Sequence, residues 1–115
     1  MALSHAVEPL GEQITVRLHG ELDLATVDDL TTVLDECIAR PTCRRVVVDL
    51  TEVTFIDSVT IGALVIAYNK AASMGHALSV IGATGSVHRI LGLAGVLDVL
   101  TGRSRLDAEQ EADAT

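Results

Sequence analysis

The sequence is poor in aromatic residues. Phe55 and Tyr68 are the only two in 115 residues, and there is no Trp. The stacking platform that single-strand nucleic-acid binders use is therefore missing, and any core must be aliphatic. Basic residues are also scarce: eight Lys and Arg stand against sixteen Asp and Glu, for a formal net charge of −8. Binding to nucleic acid or to an anionic membrane surface needs basic patches, so neither partner is expected. No apolar run reaches the about 18 residues of a membrane span. The opening MALSHAVEPLG has no basic leader followed by an apolar stretch, so no signal peptide is expected. Cys37 and Cys43 are the only cysteines, and five residues separate them. That is neither a metal nor a redox spacing, and free thiols in a reducing cytoplasm are expected.

What is present is an apolar chain of ordinary charge density, 49% hydrophobic and 21% charged. That is enough for one core and one domain, which excludes a two-domain enzyme closing around its substrate and excludes disorder throughout. The charge is uneven. Residues 107–115 hold Asp107, Glu109, Glu111 and Asp113 with no base, half of the net −8. The expected division is a folded domain over 1–102 and an acidic flexible tail over 103–115.

Hydrophobic period sets the expected elements. Ile14, Val16 and Leu18 alternate with polar residues and predict a half-exposed strand over 13–18. A shorter strand is expected around Ser4–Glu8, with Pro9–Glu12 as a hairpin turn and Gly20 as the end of the second strand. Val27, Leu30, Val33, Leu34, Cys37 and Ile38 recur at helical spacing, between a start at Ala25 or Thr26 and a stop at Pro41. Residues 45–50, RVVVDL, read as a central strand covered on both faces. Ile61, Leu64, Val65 and Tyr68 predict a second helix up to Gly75, Ala77–Ile81 a further strand, and residues 86–94 a short third helix. Val96–Leu100 closes the series as a strand or a helical turn. Strands alternating with helices imply an α/β domain, a four- to five-stranded, mostly parallel sheet with its helices mainly on one face.

Catalytic constellations are missing. His5, His19, His76 and His88 stand singly, and there is no HExxH, CxxC or GxSxG. Gly82-Ala-Thr-Gly85 lacks the third glycine of a dinucleotide fingerprint and the Lys of a phosphate loop, and reads as a strand-to-helix turn. Lys70, the only lysine, falls late in a predicted helix and reads as a surface cation. No catalytic residue, metal or cofactor is expected, and the chain does not read as an enzyme.

One segment remains, Phe55-Ile-Asp-Ser-Val-Thr-Ile-Gly-Ala-Leu64. It follows the predicted central strand and opens the second helix. Asp57 and Ser58 thus fall at the C-terminal edge of the sheet, where open α/β sheets place ligand sites. Taken alone, Ser58 or Asp57 is a helix N-cap, worth about 1 kcal/mol.

Three pieces of sequence resemble the STAS domain family, which includes domains of sulphate transporters and bacterial anti-sigma factor antagonists. They are Leu18-His-Gly-Glu-Leu-Asp23, then Val48-Asp-Leu-Thr51 with Val53-Thr-Phe-Ile-Asp-Ser58, then Leu78-Ser-Val-Ile-Gly82. Their order and spacing fit from residue 5 to about 101, and the length resembles the antagonists in particular. The resemblance implies a protein that binds an anti-sigma serine kinase, releases a sigma factor, and is switched off by phosphorylation of Ser58. It further implies a serine phosphatase that resets Ser58 and a partner surface of Glu21, Asp23, Asp57, Ser58, Val59, Thr60 and Gly62; with that surface on one edge, a monomer is the default expectation. Val59 stands where the family motif has a small hydroxyl residue, and Thr60 where it has glycine. Thr60 is expected to put a branched side chain on the docking surface and to offer a second hydroxyl for phosphate. Two other readings stay open: an interaction scaffold that is never phosphorylated, and a module holding a small nucleotide or anion at the Ser58 helix start.

Overall fold

The computed structural model describes residues 3–101; the acidic segment 103–115 lies outside the described residues. Four strands and four helices follow in the order β1 (His5–Leu10), β2 (Gln13–Leu22), α1 (Val27–Ala39), β3 (Arg45–Ile56), α2 (Ser58–Ser73), β4 (Ala77–Ile81), α3 (Gly85–Leu93) and α4 (Leu97–Thr101). The sheet runs β1-β2-β3-β4; β1 is antiparallel to β2, and the other neighbours are parallel.

Alternation decides which face is buried. Ile14, Val16 and Leu18 of β2, Val46, Val48 and Leu50 of β3, and Leu78 and Val80 of β4 are all buried. The helices lay apolar stripes over this layer: Leu30, Leu34, Cys37 and Ile38 of α1, Ile61, Leu64, Ala67 and Ala71 of α2, and Val87 and Leu91 of α3. Removing each fully buried Leu side chain from water contributes about 2 kcal/mol. The opposite face is polar. There Arg17 lies 3.4 Å from Glu8 and 3.9 Å from Asp49. Val47 sits on this second face, in register with Thr15 and Ser79, and is only 8% exposed because its strand neighbours screen it. The apolar run of β3 therefore reflects a central position in the sheet, not a helix layer on each side.

Three boundaries differ from expectation. The hairpin turn is Gly11–Glu12, with Gly11 at φ +60, and Pro9 stays inside β1. An edge strand accepts proline because one side of its ladder is unpaired. Gly20 does not end β2. It takes φ +82 between two register shifts, and pairing resumes at Glu21↔Phe55 and Leu22↔Ile56. A glycine at a bulge bends a strand without stopping it. β3 continues through Thr51–Ile56, because β2 runs on beside it as a partner. Val96–Leu100 resolves as a helical element, α4. Cys37 and Cys43 are both buried free thiols, and burial pushes the Cys37 thiol up.

Candidate functional site

The site forms where β2 and β3 end together. Leu22 is in register with Ile56, and the Asp57 amide donates to the Leu22 carbonyl at 3.2 Å. That bond ties the last residue of β2, where the β2–α1 loop begins, to the first residue of the β3–α2 corner. Asp57 then takes an extended conformation (φ −103, ψ 175), and its Oδ1 accepts the Thr60 amide at 2.8 Å. It is the N-cap of α2, and the Asp57 carbonyl accepts the first helical bond, from Ile61, at 3.0 Å. Partial burial pushes the Asp57 carboxyl up, but donors on Thr60 and the Leu24 amide outweigh it and hold the group below its ordinary 3.8. Ser58 is the first residue inside the helix, and it is exposed. The cap that the sequence leaves to either residue is supplied by Asp57, so the Ser58 hydroxyl is free of that duty.

Asp23 shapes the neighbouring loop. Its Oδ1 accepts the Ala25 amide at 3.0 Å, its own amide donates to Thr26 Oγ1 at 3.1 Å, and its carbonyl accepts the Thr26 amide at 3.0 Å. Asp23 is half-buried, while Glu21 is exposed beside Phe55. The structure thus brings Glu21, Asp23, Asp57 and Ser58 to one edge.

Thr60 departs from expectation. It is fully buried, at 0% exposure, so it neither lies on the docking surface nor offers a hydroxyl to an enzyme. Its Oγ1 has no hydrogen bond of good geometry among the described residues, although it lies close enough to the Asp57 carboxyl to favour the charged form. Two residues along a helix are about 200° apart around its axis, so Ser58 and Thr60 cannot share a face. Val59, by contrast, is 45% exposed. Gly62 is exposed as well, and a Cβ added there would meet nothing within 4 Å.

Val59 and Gly62 open onto an apolar groove of about 270 Å³ between α1 and α2, lined also by Val27, Ala63, Ile66 and Ala67. Sequence reasoning missed this groove and the exposure of Leu24 and Phe55 at the ends of β2 and β3. A signal existed: Ile66 falls outside the stripe of Ile61, Leu64 and Tyr68, and it is 67% exposed. Asp35 at the groove rim receives Lys70 at 3.0 Å, so that lysine is a surface cation joining α1 to α2.

The remaining motifs stay structural. Gly82–Gly85 is a strand-to-helix turn between β4 and α3. No group of three or more metal-ligating side chains occurs among the described residues. No described helix is long and apolar enough to cross a membrane.

Comparison with known proteins agrees with this geometry. The STAS domain family matches residues 6–109. An anti-sigma F factor antagonist from Paenibacillus polymyxa is 32% identical over 87 residues, 76% of this chain and 74% of that one. The crystal structure of an anti-sigma factor antagonist from Mycobacterium paratuberculosis superposes with a TM-score of 0.75 at 25% identity, covering 86% of this chain and 82% of that one. The Bacillus cell fate determinant SpoIIAA, solved in its phosphorylated form, has the same fold, with a TM-score of 0.68 at 16% identity over 85% and 88% of the two chains. The family match over most of the chain, with a relative at 32% identity, shows that the chain belongs to the STAS domain family.

Proposed function

We propose that the protein is an anti-sigma factor antagonist that docks on an anti-sigma serine kinase and so frees a sigma factor, and that phosphorylation of Ser58 ends the docking. One observation carries this reading. Ser58 presents an exposed hydroxyl at the start of α2, relieved of capping by Asp57, beside the apolar groove onto which Val59 and Gly62 open. The protein is then a substrate and a binding switch, and a serine phosphatase resets it.

The energies suit a switch. A phosphate on Ser58 adds about −1.5 to −2 charges. The N-terminal dipole of α2 favours it by about 0.3–1 kcal/mol. The Asp57 carboxylate next to it opposes; two unit charges 4 Å apart repel by about 4 kcal/mol at an intermediate effective dielectric and far less in water. Either sum is small beside the 5–15 kcal/mol typical of a domain, so the fold persists. The surface changes more than the fold. A partner packed over Val59 and the groove would have to desolvate a dianion, and it leaves instead.

The test is incubation with an anti-sigma kinase and ATP, with the phosphate mapped by mass spectrometry. Label is expected on Ser58 and absent from Ser58→Ala. Ser58→Asp is expected to weaken kinase binding at least about tenfold, equivalent to 1.4 kcal/mol, with its melting temperature unchanged. Label elsewhere, or wild-type kinase binding by Ser58→Asp, defeats the switch and leaves an unphosphorylated scaffold.

A further inference from the structure

The loop between β2 and α1 holds a leucine out to solvent. Leu22 ends β2 fully buried, yet Leu24, two residues on, is 71% exposed. Strand alternation does not force this, because β2 has already ended and the chain is turning: the Thr26 amide donates to the Asp23 carbonyl at 3.0 Å. The turn is fixed on both sides of Leu24. The Asp23 carboxylate accepts the Ala25 amide at 3.0 Å, and the Asp23 amide donates to Thr26 Oγ1 at 3.1 Å. The Leu24 amide itself donates to the Asp57 carboxylate, the group that also caps α2. Leu24 therefore stands beside the residue that precedes Ser58, on a backbone already ordered.

A lone exposed leucine needs no explanation. Leu24 is not alone on its edge. Phe55 and Val59, either side of Asp57 and Ser58 in the chain, are 43% and 45% exposed. Phe55 is the more sheltered of the sheet-edge pair, since it still lies in register with Glu21, whereas Leu24 has left the sheet. The charge around this apolar centre has one sign. Glu21, Asp23, Asp28 and Asp57 have no ion-pair partner among the described residues. Arg40, Arg44 and Arg45 lie at the other end of the parallel strands, separated from this edge by the 12 residues of β3, roughly 35 Å of strand. Such a separation of charge turns the Ser58 edge toward a positive surface during approach.

We propose that Leu24 is the apolar anchor of the docking surface, seated in an aliphatic recess of the partner that is rimmed by Lys and Arg. The inference rests on the antagonist reading and adds to it the residue that holds the partner and the chemistry of the face that receives it. A few desolvated side chains carry most of an interface's energy, and charges at the rim act chiefly on the rate of encounter. Leu24 and the carboxylates thus divide the work: the side chain sets how long the complex lasts, and the charges set how fast it forms. The fixed loop lowers the ordering cost of seating the anchor. A phosphate on Ser58 would place its dianion next to the residue that holds Leu24 in position.

The test measures association and dissociation rates between the full chain and the anti-sigma kinase that labels Ser58. Leu24→Ala is expected to keep its melting curve, its side chain being exposed, and to bind at least about tenfold more weakly, with the loss in the dissociation rate. Leu24→Met keeps the apolar reach and is expected to stay within about threefold of wild type. Leu93→Ala removes a leucine that is 81% exposed at the end of α3, and is expected to bind like wild type. Raising sodium chloride from about 50 to about 500 mM is expected to slow association at least about tenfold in wild type, and by the same factor in Leu24→Ala. The double variant Glu21→Gln/Asp28→Asn is expected to flatten that dependence. Wild-type affinity in Leu24→Ala, an equal loss in Leu93→Ala, or association that salt does not slow overturns the inference while the labelling of Ser58 stands. A wild-type chain that neither binds the kinase nor takes label overturns the antagonist reading, and this inference with it.

Discussion

The β3–α2 corner at Asp57–Ser58 and the β4–α3 corner at Gly82–Gly85 leave the same edge of the sheet, and they are built on opposite terms. At the first, a side chain does the turning: Asp57 caps the helix, and the next residue points outward. At the second, the backbone does it. Gly82 sits at φ +76, and a Cβ there would collide with Thr51 Oγ1 and lie 2.9 Å from the Thr51 amide nitrogen. Thr84, the N-cap of α3, makes no side-chain capping bond. The Asp57 corner can change its exposed residue without touching the core, and the Gly82 position admits no side chain. The proposed phosphorylation of Ser58 needs the first kind of corner, where a charge can be added without displacing the core.

Gly82→Ala is the strongest way to probe the contrast. It combines a left-handed conformation with a clash against β3, and is expected to cost about 3 kcal/mol in urea unfolding. A loss under 1 kcal/mol would mean the two corners are equally tolerant. Asp57→Ala comes next, at about 1 kcal/mol for the lost cap. Its pH dependence sharpens the point. The native carboxyl lies below its ordinary 3.8, so its stabilisation is present above that value and fades as pH falls through the native one. Asp49 is shifted the same way: burial raises it, and hydrogen bonds from Thr51 with the Arg17 charge more than reverse this. Acid unfolding curves of Asp57→Ala should therefore show a shallower loss of stability below pH 4, with the Asp49 share remaining.

Gly62→Ala tests the open corner from the other direction. Nothing would meet the added Cβ, and alanine is the better helix former by about 1 kcal/mol. The variant is expected to gain up to that amount in stability while binding the kinase more weakly. Tighter or unchanged binding would show that Gly62 is not at the docked surface. Thr60→Val is expected to have the smallest effect, within about 1 kcal/mol of wild type, since it removes a buried hydroxyl without a good partner. It should incorporate phosphate like wild type, and a loss of label would return Thr60 to the list of acceptors.

Much of this was legible in the chain. The 2-residue period of Ile14, Val16 and Leu18 and the helical period of Leu30, Leu34 and Ile38 locate β2 and α1. Ala77–Ile81 has the same bounds in prediction and structure. The Asp57–Ser58 boundary could be placed at the end of a strand and the start of a helix. Gly20 misled because a positive-φ glycine serves a turn and a bulge equally well, and only the partner strand decides between them. The approach of Leu24 to Asp57 was invisible, since it joins two segments distant in sequence that meet only where β2 and β3 end side by side.

Sequence alone determined the alternation of strand and helix, the aliphatic core and the position of the serine at a strand-to-helix boundary. These depend on near-neighbour periodicity, which a single chain displays. Tertiary structure decided which hydroxyl faces outward and which carboxylate caps. The rotational phase of α2 is fixed by the burial of Ile61, Leu64, Ala67 and Ala71, and that phase turns Ser58 toward solvent and seals Thr60 inside.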